Sequence, residues 1–271
     1  MRILITGTLG FIGSNLKKFL EVNNIIFEIN EDLFDNDKWC DFLNDRIYII
    51  KPDAIFHVGA CSDTLEQDVN YMMTRNFEST KILVDYSKKY GVPIVYSSSA
   101  AGYGVNNEYP SNLYGWSKYI AEKYVISNGG IALRYFNVYG PGEENKGKMA
   151  SVAYQMFLKN IKGEEIKLFP GKPTRDFVYV DDVVSANVFA LQNYIRLKGN
   201  YYDVGSGESK SFEEMMDIFD INYTYHSDKM IPNGYQTYTC SDKLKWMNGW
   251  KPNFNLYDGL TEYKKYLTSN I

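Results

Sequence analysis

The chain has 271 residues, 45% of them apolar and 23% charged, with a formal net charge of −4. That composition fits a globular protein with room for one large domain or two modest ones. The charge balance argues against a phosphate-backbone binder, so nucleic acid is not an expected partner. No apolar run approaches the ~18 residues of a membrane span, and Met1 leads straight into a strand rather than a signal peptide. We therefore expect a cytoplasmic protein with no membrane partner. Cys40, Cys61 and Cys240 cannot all pair and lack ligand spacing, and His57 and His226 are the only histidines, so no metal site is expected.

Residues 2–6, a β-branched run, break at Gly7-Thr8-Leu9-Gly10-Phe11-Ile12-Gly13 and continue as a helix through Leu16, Phe19 and Leu20. Strand, glycine turn and helix in that order suit a pyrophosphate seated on a helix N-terminus, with Gly7, Gly10, Phe11, Ile12 and Gly13 against it. A second strand over 25–29 ends among Asn30, Glu31 and Asp32. In dinucleotide folds an acid about 20 residues past the glycines bonds the ribose hydroxyls, and the sequence leaves open which of these residues does so. Lys38 is the nearest cation downstream, which leans toward NAD over NADP. Asp35 suits either an adenine contact or a helix N-cap.

A helix closes at 47–50, and a buried strand over 54–58 carries His57 in an apolar run, as a core histidine. Gly59-Ala60-Cys61 leaves this strand where a parallel sheet opens its ligand crevice. A long helix over 71–90, a strand over 93–96 delivering Ser97-Ser98-Ser99, a helix over 114–127 and a strand over 131–136 follow. This alternation predicts a doubly wound parallel α/β (Rossmann) sheet. Beyond residue 142 we expect a helix over 149–158, a strand over 177–180, a helix over 183–191 capped by Asp181-Asp182, strands over 201–204 and 221–225, and helices over 211–219 and 258–267. The expected division is a cofactor domain of 1–141 plus about 178–197, and a smaller C-terminal α/β substrate domain of 142–177 plus 198–271.

Tyr114 and Lys118 stand four apart on one helix face, close enough for the ammonium to favour a phenolate. With Ser99 at a strand end and the glycine turn at the N-terminus, they define hydride chemistry on an alcohol. Tyr114 takes the hydroxyl proton, Ser99 bonds the same oxygen, and Lys118 lowers the Tyr pKa and bonds the cofactor ribose.

With these stretches go Gly59-Ala60-Cys61-Ser62, Tyr135-Phe136-Asn137-Val138-Tyr139-Gly140-Pro141, Lys146-Gly147, Met149-Ala150-Ser151-Val152-Ala153 and Arg175-Asp176-Phe177-Val178-Tyr179-Val180. On them the chain resembles the extended short-chain dehydrogenases/reductases of the sugar-nucleotide epimerase group, nearest their heptose 6-epimerase branch. The resemblance covers almost the whole chain. It implies a nucleotide-sugar substrate, one tightly bound NAD or NADP per subunit and a homodimer or larger. Tyr114 would be one acid/base and Lys146 the second, on the other side of a transient ketone. Asn76 and Val138 would join the cofactor residues, and Asn137 and Arg175 would hold the substrate, Arg175 through its diphosphate. Ser62, Phe169, Gly171 and Tyr235 would complete that site.

The chain departs from the branch where Lys148 replaces a Ser and Gln155 a His, both at substrate-binding positions. The loop over 102–112 that would cover the sugar is short, and so is the segment between the second and third strands. A 4-epimerase or 4-reductase of another nucleotide sugar shares the Ser/Tyr/Lys set. A 4,6-dehydratase fits less well, since Ser99 is followed by Ala100-Ala101 rather than an Asp-Glu pair. A non-catalytic cofactor-binding scaffold would usually have lost part of the set.

Overall fold

The computed structural model describes residues 1–104, 109–231 and 235–270, the side chain of residue 145 excepted. Part of the expected sugar-covering loop, 105–108, lies outside the described residues. In chain order the elements begin with β1 (Arg2–Thr6), α1 (Phe11–Leu20), β2 (Ile25–Ile29), α2 (Asn36–Ile50), β3 (Ala54–His57), α3 (Val69–Met73), α4 (Ser79–Tyr90), β4 (Ile94–Ser99), α5 (Leu113–Ser127) and β5 (Ile131–Tyr135). They continue with β6 (Asn137–Tyr139), α6 (Val152–Ile161), β7 (Lys167–Leu168), β8 (Thr174–Tyr179), α7 (Val180–Gln192), α8 (Tyr194–Leu197), β9 (Asn200–Val204), β10 (Ser209–Ser211), α9 (Phe212–Phe219), β11 (Thr224–Tyr225) and α10 (Leu256–Asn270). Two compact units divide the chain. The first is Met1–Arg134, Val184–Tyr202 and Met247–Trp250; the second is Tyr135–Val183, Asp203–Trp246 and Lys251–Ile271.

Among the described residues a six-stranded sheet runs in the order β2-β1-β3-β4-β5-β9, all of it in the first unit but the last residue of β5 and the last two of β9. β1 pairs in parallel with β2 and β3, and β3 with β4. This is the doubly wound sheet expected from sequence. Its order reverses at β1, so the crevice beyond the C-terminal ends of β1 and β3 is the switch point where such sheets take ligands. A single 3₁₀ turn and α2 join β2 to β3, which leaves β2 at the sheet edge. Helix α2 puts Trp39, Leu43 and Ile47 on one face, four residues apart, and all three are buried against Leu4, Ile55 and Leu83. Each such side chain contributes about 1.5–3 kcal/mol.

The second unit holds a three-stranded sheet, β10-β8-β6, and the pair β11-β7. Its core gathers Tyr139, Phe157, Phe177, Met216 and Leu260. Several elements differ from expectation. Four short strands, β6, β7, β10 and β11, went unpredicted or run shorter than expected, because two or three residues carry no readable period. Helix α6 starts at Val152 rather than Met149, since the Ser151 hydroxyl caps it by accepting the Tyr154 N–H (3.2 Å). Asp181 and Asp182 sit inside the first turn of α7 rather than capping it, and the Asp182 carboxylate accepts the Asn253 and Phe254 N–H groups. The long helix over 71–90 is present but contains a π-helical turn, Thr74–Glu78, between α3 and α4.

Candidate active site

The switch point is built by glycines that admit no other residue. Gly7 has φ +72°, and a Cβ on it would lie 2.5 Å from Gly59 Cα; one on Gly13 would lie 2.1 Å from Gly7 O. Gly10 opens α1 without a side-chain cap, and the first turn contains no acid, so the helix brings no anion of its own to the positive end of its dipole. Phe11 and Ile12 form the first helical positions.

The structure separates the residues at the end of β2. Asn30 Oδ1 accepts the Leu9 N–H (3.0 Å), and the Asn30 amide bonds the Thr8 hydroxyl, so Asn30 holds the glycine turn. Glu31 is 6% exposed and points to Gly59, whose Cβ would fall 2.3 Å from Oε2. That oxygen is buried without a hydrogen-bond partner. Burial pushes the carboxyl up to about 7. Arg75 donates to the carbonyls of Glu31 and Phe34. Asp35 opens α2 but makes no capping bond; its exposed carboxylate pairs with Lys38 (3.2 Å). Asn76 clamps Cys61 through both backbone groups, at 2.8 and 2.9 Å, and donates to the Ser117 hydroxyl of α5 (2.9 Å). It thereby ties the Gly59-Ala60-Cys61 segment to that helix, while Ser62 beyond it is exposed. His57 is buried and bonded to Thr6 and Thr80 at 2.8 Å each, with burial holding it near 3, as befits a neutral core histidine.

Ser99 ends β4 and hydrogen-bonds Tyr114, which α5 presents after Asn112 caps its first turn. Lys118 follows one turn later and is 2% exposed. The expected lowering of the Tyr114 pKa is outweighed: burial pushes the phenol up, and only its bond to Ser99 opposes this. The Lys118 ammonium lies 4.4 Å from the centroid of the Tyr96 ring and feels Glu31 and Glu122, while burial pushes it down to about 7. Glu122, four residues beyond Lys118, accepts the Ser98 hydroxyl (2.8 Å) and a bidentate pair from Arg134 (2.7 and 2.6 Å). Arg134 lies between the Tyr103 and Tyr201 rings.

The second unit assembles its own group. Arg175 on β8 is buried, stacks over Tyr235 at 5.3 Å and hydrogen-bonds it; Phe169 meets Tyr235 edge-on at 4.9 Å. Gly171 turns with φ +87°. Asn137 and Val138 lie on β6, the first exposed. Lys146 is half-buried, and burial lowers its pKa against the opposing charge of Glu143. Lys148 is exposed. Gln155 spends its amide on the Lys148 and Ala150 carbonyls (3.2 and 2.7 Å), so it braces the lysine loop.

A sequence profile of the NAD dependent epimerase/dehydratase family matches residues 3–205. The chain belongs to the NAD dependent epimerase/dehydratase family. Among named relatives, the ADP-L-glycero-D-manno-heptose-6-epimerase of Brachyspira hyodysenteriae is 36% identical across 98% of this chain and 97% of that protein. The alignment runs over 315 positions against a chain of 271, so the relative carries segments this one lacks. The crystal structure of the Helicobacter pylori ADP-L-glycero-D-manno-heptose-6-epimerase superposes with a TM-score of 0.84 at 28% identity, over 99% of this chain and 96% of that one. The UDP-glucose 4-epimerase of Thermotoga maritima, solved with UDP-glucose, shares the fold at TM-score 0.85 and 24% identity, over 99% of both chains.

The switch point fits the dinucleotide of the NAD dependent epimerase/dehydratase family. The glycine cradle and uncapped α1 suit its pyrophosphate, and the orphaned Glu31 oxygen suits its ribose hydroxyls. Among the described residues no helix is long and apolar enough to cross a membrane. Sequence reasoning missed Tyr96, Ser98, Glu122 and Arg134. The spacing of Glu122 from Lys118, and a lone Arg inside the apolar 131–136 strand, were the signals available.

Proposed function

We propose that the chain is a nucleotide-diphosphate-sugar epimerase of the ADP-glycero-manno-heptose 6-epimerase kind. The observation that carries this reading is the near full-length likeness to the Brachyspira enzyme. In this reading the cofactor residues come from the first unit except Val138, and Lys146, Arg175 and Tyr235 of the second unit serve the substrate. The nicotinamide, when bound, takes up and returns a hydride at the sugar carbinol, so no net redox occurs. Tyr114 receives the hydroxyl proton as the phenolate, the form its bond to Ser99 favours against burial, and Ser99 polarises the resulting carbonyl oxygen by hydrogen bonding. Lys118 bonds the cofactor ribose, and Gly7, Gly10, Phe11, Ile12, Gly13, Glu31, Gly59, Ala60, Asn76 and Val138 complete that site. Lys146 is the second acid/base, and Arg175, stacked on Tyr235, takes the diphosphate with its planar guanidinium.

One observation favours a second reading, a different nucleotide sugar. The Gln155 amide is already engaged with its own loop and Lys148 is exposed, so two substrate positions differ in chemistry from the heptose branch. The same Ser/Tyr/Lys set would then serve a 4-epimerase or 4-reductase. We further read the protein as a cytoplasmic homodimer or larger, paired through α4 and α5. A monomer by light scattering at micromolar concentration would sink that.

Proton NMR of the enzyme with ADP-D-glycero-D-manno-heptose and each nicotinamide cofactor tests the function. Inversion at C6 supports the first reading. Bound cofactor without inversion rejects it in favour of the second.

A further inference from the structure

In the sequence, residues 143–148 form a charged segment of the kind that stands in solvent. Glu143 is instead 0% exposed. Its carboxylate receives four hydrogen bonds: Oε1 accepts the Gly140 N–H (3.2 Å), the Ser151 hydroxyl (2.7 Å) and the Tyr263 hydroxyl (3.0 Å), and Oε2 accepts the Ser151 N–H (2.5 Å). Two of these donors are backbone N–H groups, which cannot accept, and the Ser151 hydroxyl already accepts from Tyr154 N. These bonds favour the anion, against burial, which pushes the carboxyl above its ordinary range.

The four donors come from three places: the turn after β6, the N-cap of α6 and the middle of α10. One carboxylate thus pins both ends of the loop that carries Lys146. The Lys146 N–H closes a turn on the Glu143 carbonyl (3.0 Å), and Gly147 at φ +52° lets the chain bend back directly after the lysine. Glu144, the outward neighbour, bonds Tyr266 of α10 at 2.8 Å.

We propose that Glu143 is the positioning residue of Lys146, fixing its loop to β6, α6 and α10 and supplying the buried negative charge that keeps its ammonium in place. The proposal rests on the reading of Lys146 as an acid/base. The charge matters because burial alone would drive the Lys146 proton off, and Glu143 opposes it. The other titratable groups around the segment are Glu144 and the exposed Lys148 of the same loop, Tyr154 of α6, and Tyr263 and Tyr266 of α10. The three phenols are all held above their ordinary range, so they stay neutral at working pH and the buried negative charge is that of Glu143.

The test is competitive acetylation of the folded protein with acetic anhydride across neutral to alkaline pH, reading the Lys146 peptide by mass spectrometry. Glu143→Gln, which keeps the shape and removes the charge, should lower the midpoint of Lys146 labelling by about one pH unit, roughly ten-fold more reactivity at fixed pH. An unchanged midpoint overturns the proposal. If Glu143→Gln does not fold, Tyr263→Phe decides: a several-fold loss of kcat at an unchanged melting temperature supports it, and wild-type kcat overturns it. Lys146→Met, assayed alongside, separates the two claims. Wild-type epimerisation in Lys146→Met rejects the acid/base reading, while the labelling midpoint still judges Glu143.

Discussion

The Lys118 ammonium lies 4.4 Å from the centre of the Tyr96 ring. A desolvated cation over an aromatic face is worth up to ~2 kcal/mol, and here it steadies a charge that has almost no water around it. Tyr96→Leu should lower the Lys118 titration midpoint by about one pH unit, while Tyr96→Phe should leave it in place. The pH dependence of cofactor binding, followed by protein fluorescence, reads this directly.

The same burial makes Lys118 a cost to the fold. Its amine falls from 10.5 to about 7, so between those values the unfolded chain holds a proton that the folded chain gives up. Stability from this group therefore rises with pH across that window, and the penalty is full below about 7. Lys118→Met should melt higher than wild type at neutral pH, with the gain shrinking toward pH ~10. A pH-independent gain in calorimetry would refute this account.

Glu31 titrates on the opposite side. Its carboxyl is raised to about 7, so it ionises only as pH climbs through neutrality. The anion accepts ribose hydroxyls better than the acid does, so NAD affinity should rise through that range in wild type more than in Glu31→Gln. The variant should also lose about ten-fold in NAD affinity and gain in affinity for NADP relative to NAD, since the repulsion of a 2′-phosphate is gone. Calorimetric titration with both cofactors checks each point.

Gly59→Ala places a methyl 2.3 Å from Glu31 Oε2, the far end of a side chain that can swing away. The fold should survive, by circular dichroism, with cofactor affinity at least ten-fold weaker. Gly13→Ala meets backbone at 2.1 Å instead and should fail to fold.

Removing one partner of the buried Glu122–Arg134 pair leaves the other charged and dry. Arg134→Met should cost about 3–5 kcal/mol in urea unfolding. The double change Glu122→Leu with Arg134→Met should recover most of that stability. If instead the double variant is no better than the single one, the cost lies in packing around Tyr103 and Tyr201.

What the sequence made legible was local or periodic. The glycine turn sits in one stretch of seven residues, and Tyr114 and Lys118 are one helical turn apart. Ser99 was legible as the end of an apolar strand. What stayed hidden was set by partners far along the chain. Glu122 meets Arg134 from a different element, Glu143 meets Tyr263 across 120 residues, and neither sequence neighbourhood announces it. That Asn30 rather than Glu31 is taken up by the turn was likewise hidden, because it depends on Thr8 and Leu9, which occupy the asparagine from across the turn. Tyr114 was legible as a residue but not in its proton affinity, because that is set by burial and by its bond to Ser99.

The π-helical turn at Thr74–Glu78 puts two jobs on one helical rod that an ordinary α-helix could not hold in phase. Asn76, inside the turn, reaches Cys61 and Ser117, while Leu83 and Val84 beyond it pack into the core. The turn takes up one residue more than regular winding would, so it absorbs an addition that in an unbroken α-helix would rotate everything downstream by about 100° relative to everything upstream. Either the asparagine or the leucine face would then look the wrong way. Length change in this rod is thus accommodated at the wide turn, while in the regular winding of α4 a single added or lost residue turns one face away from its partner.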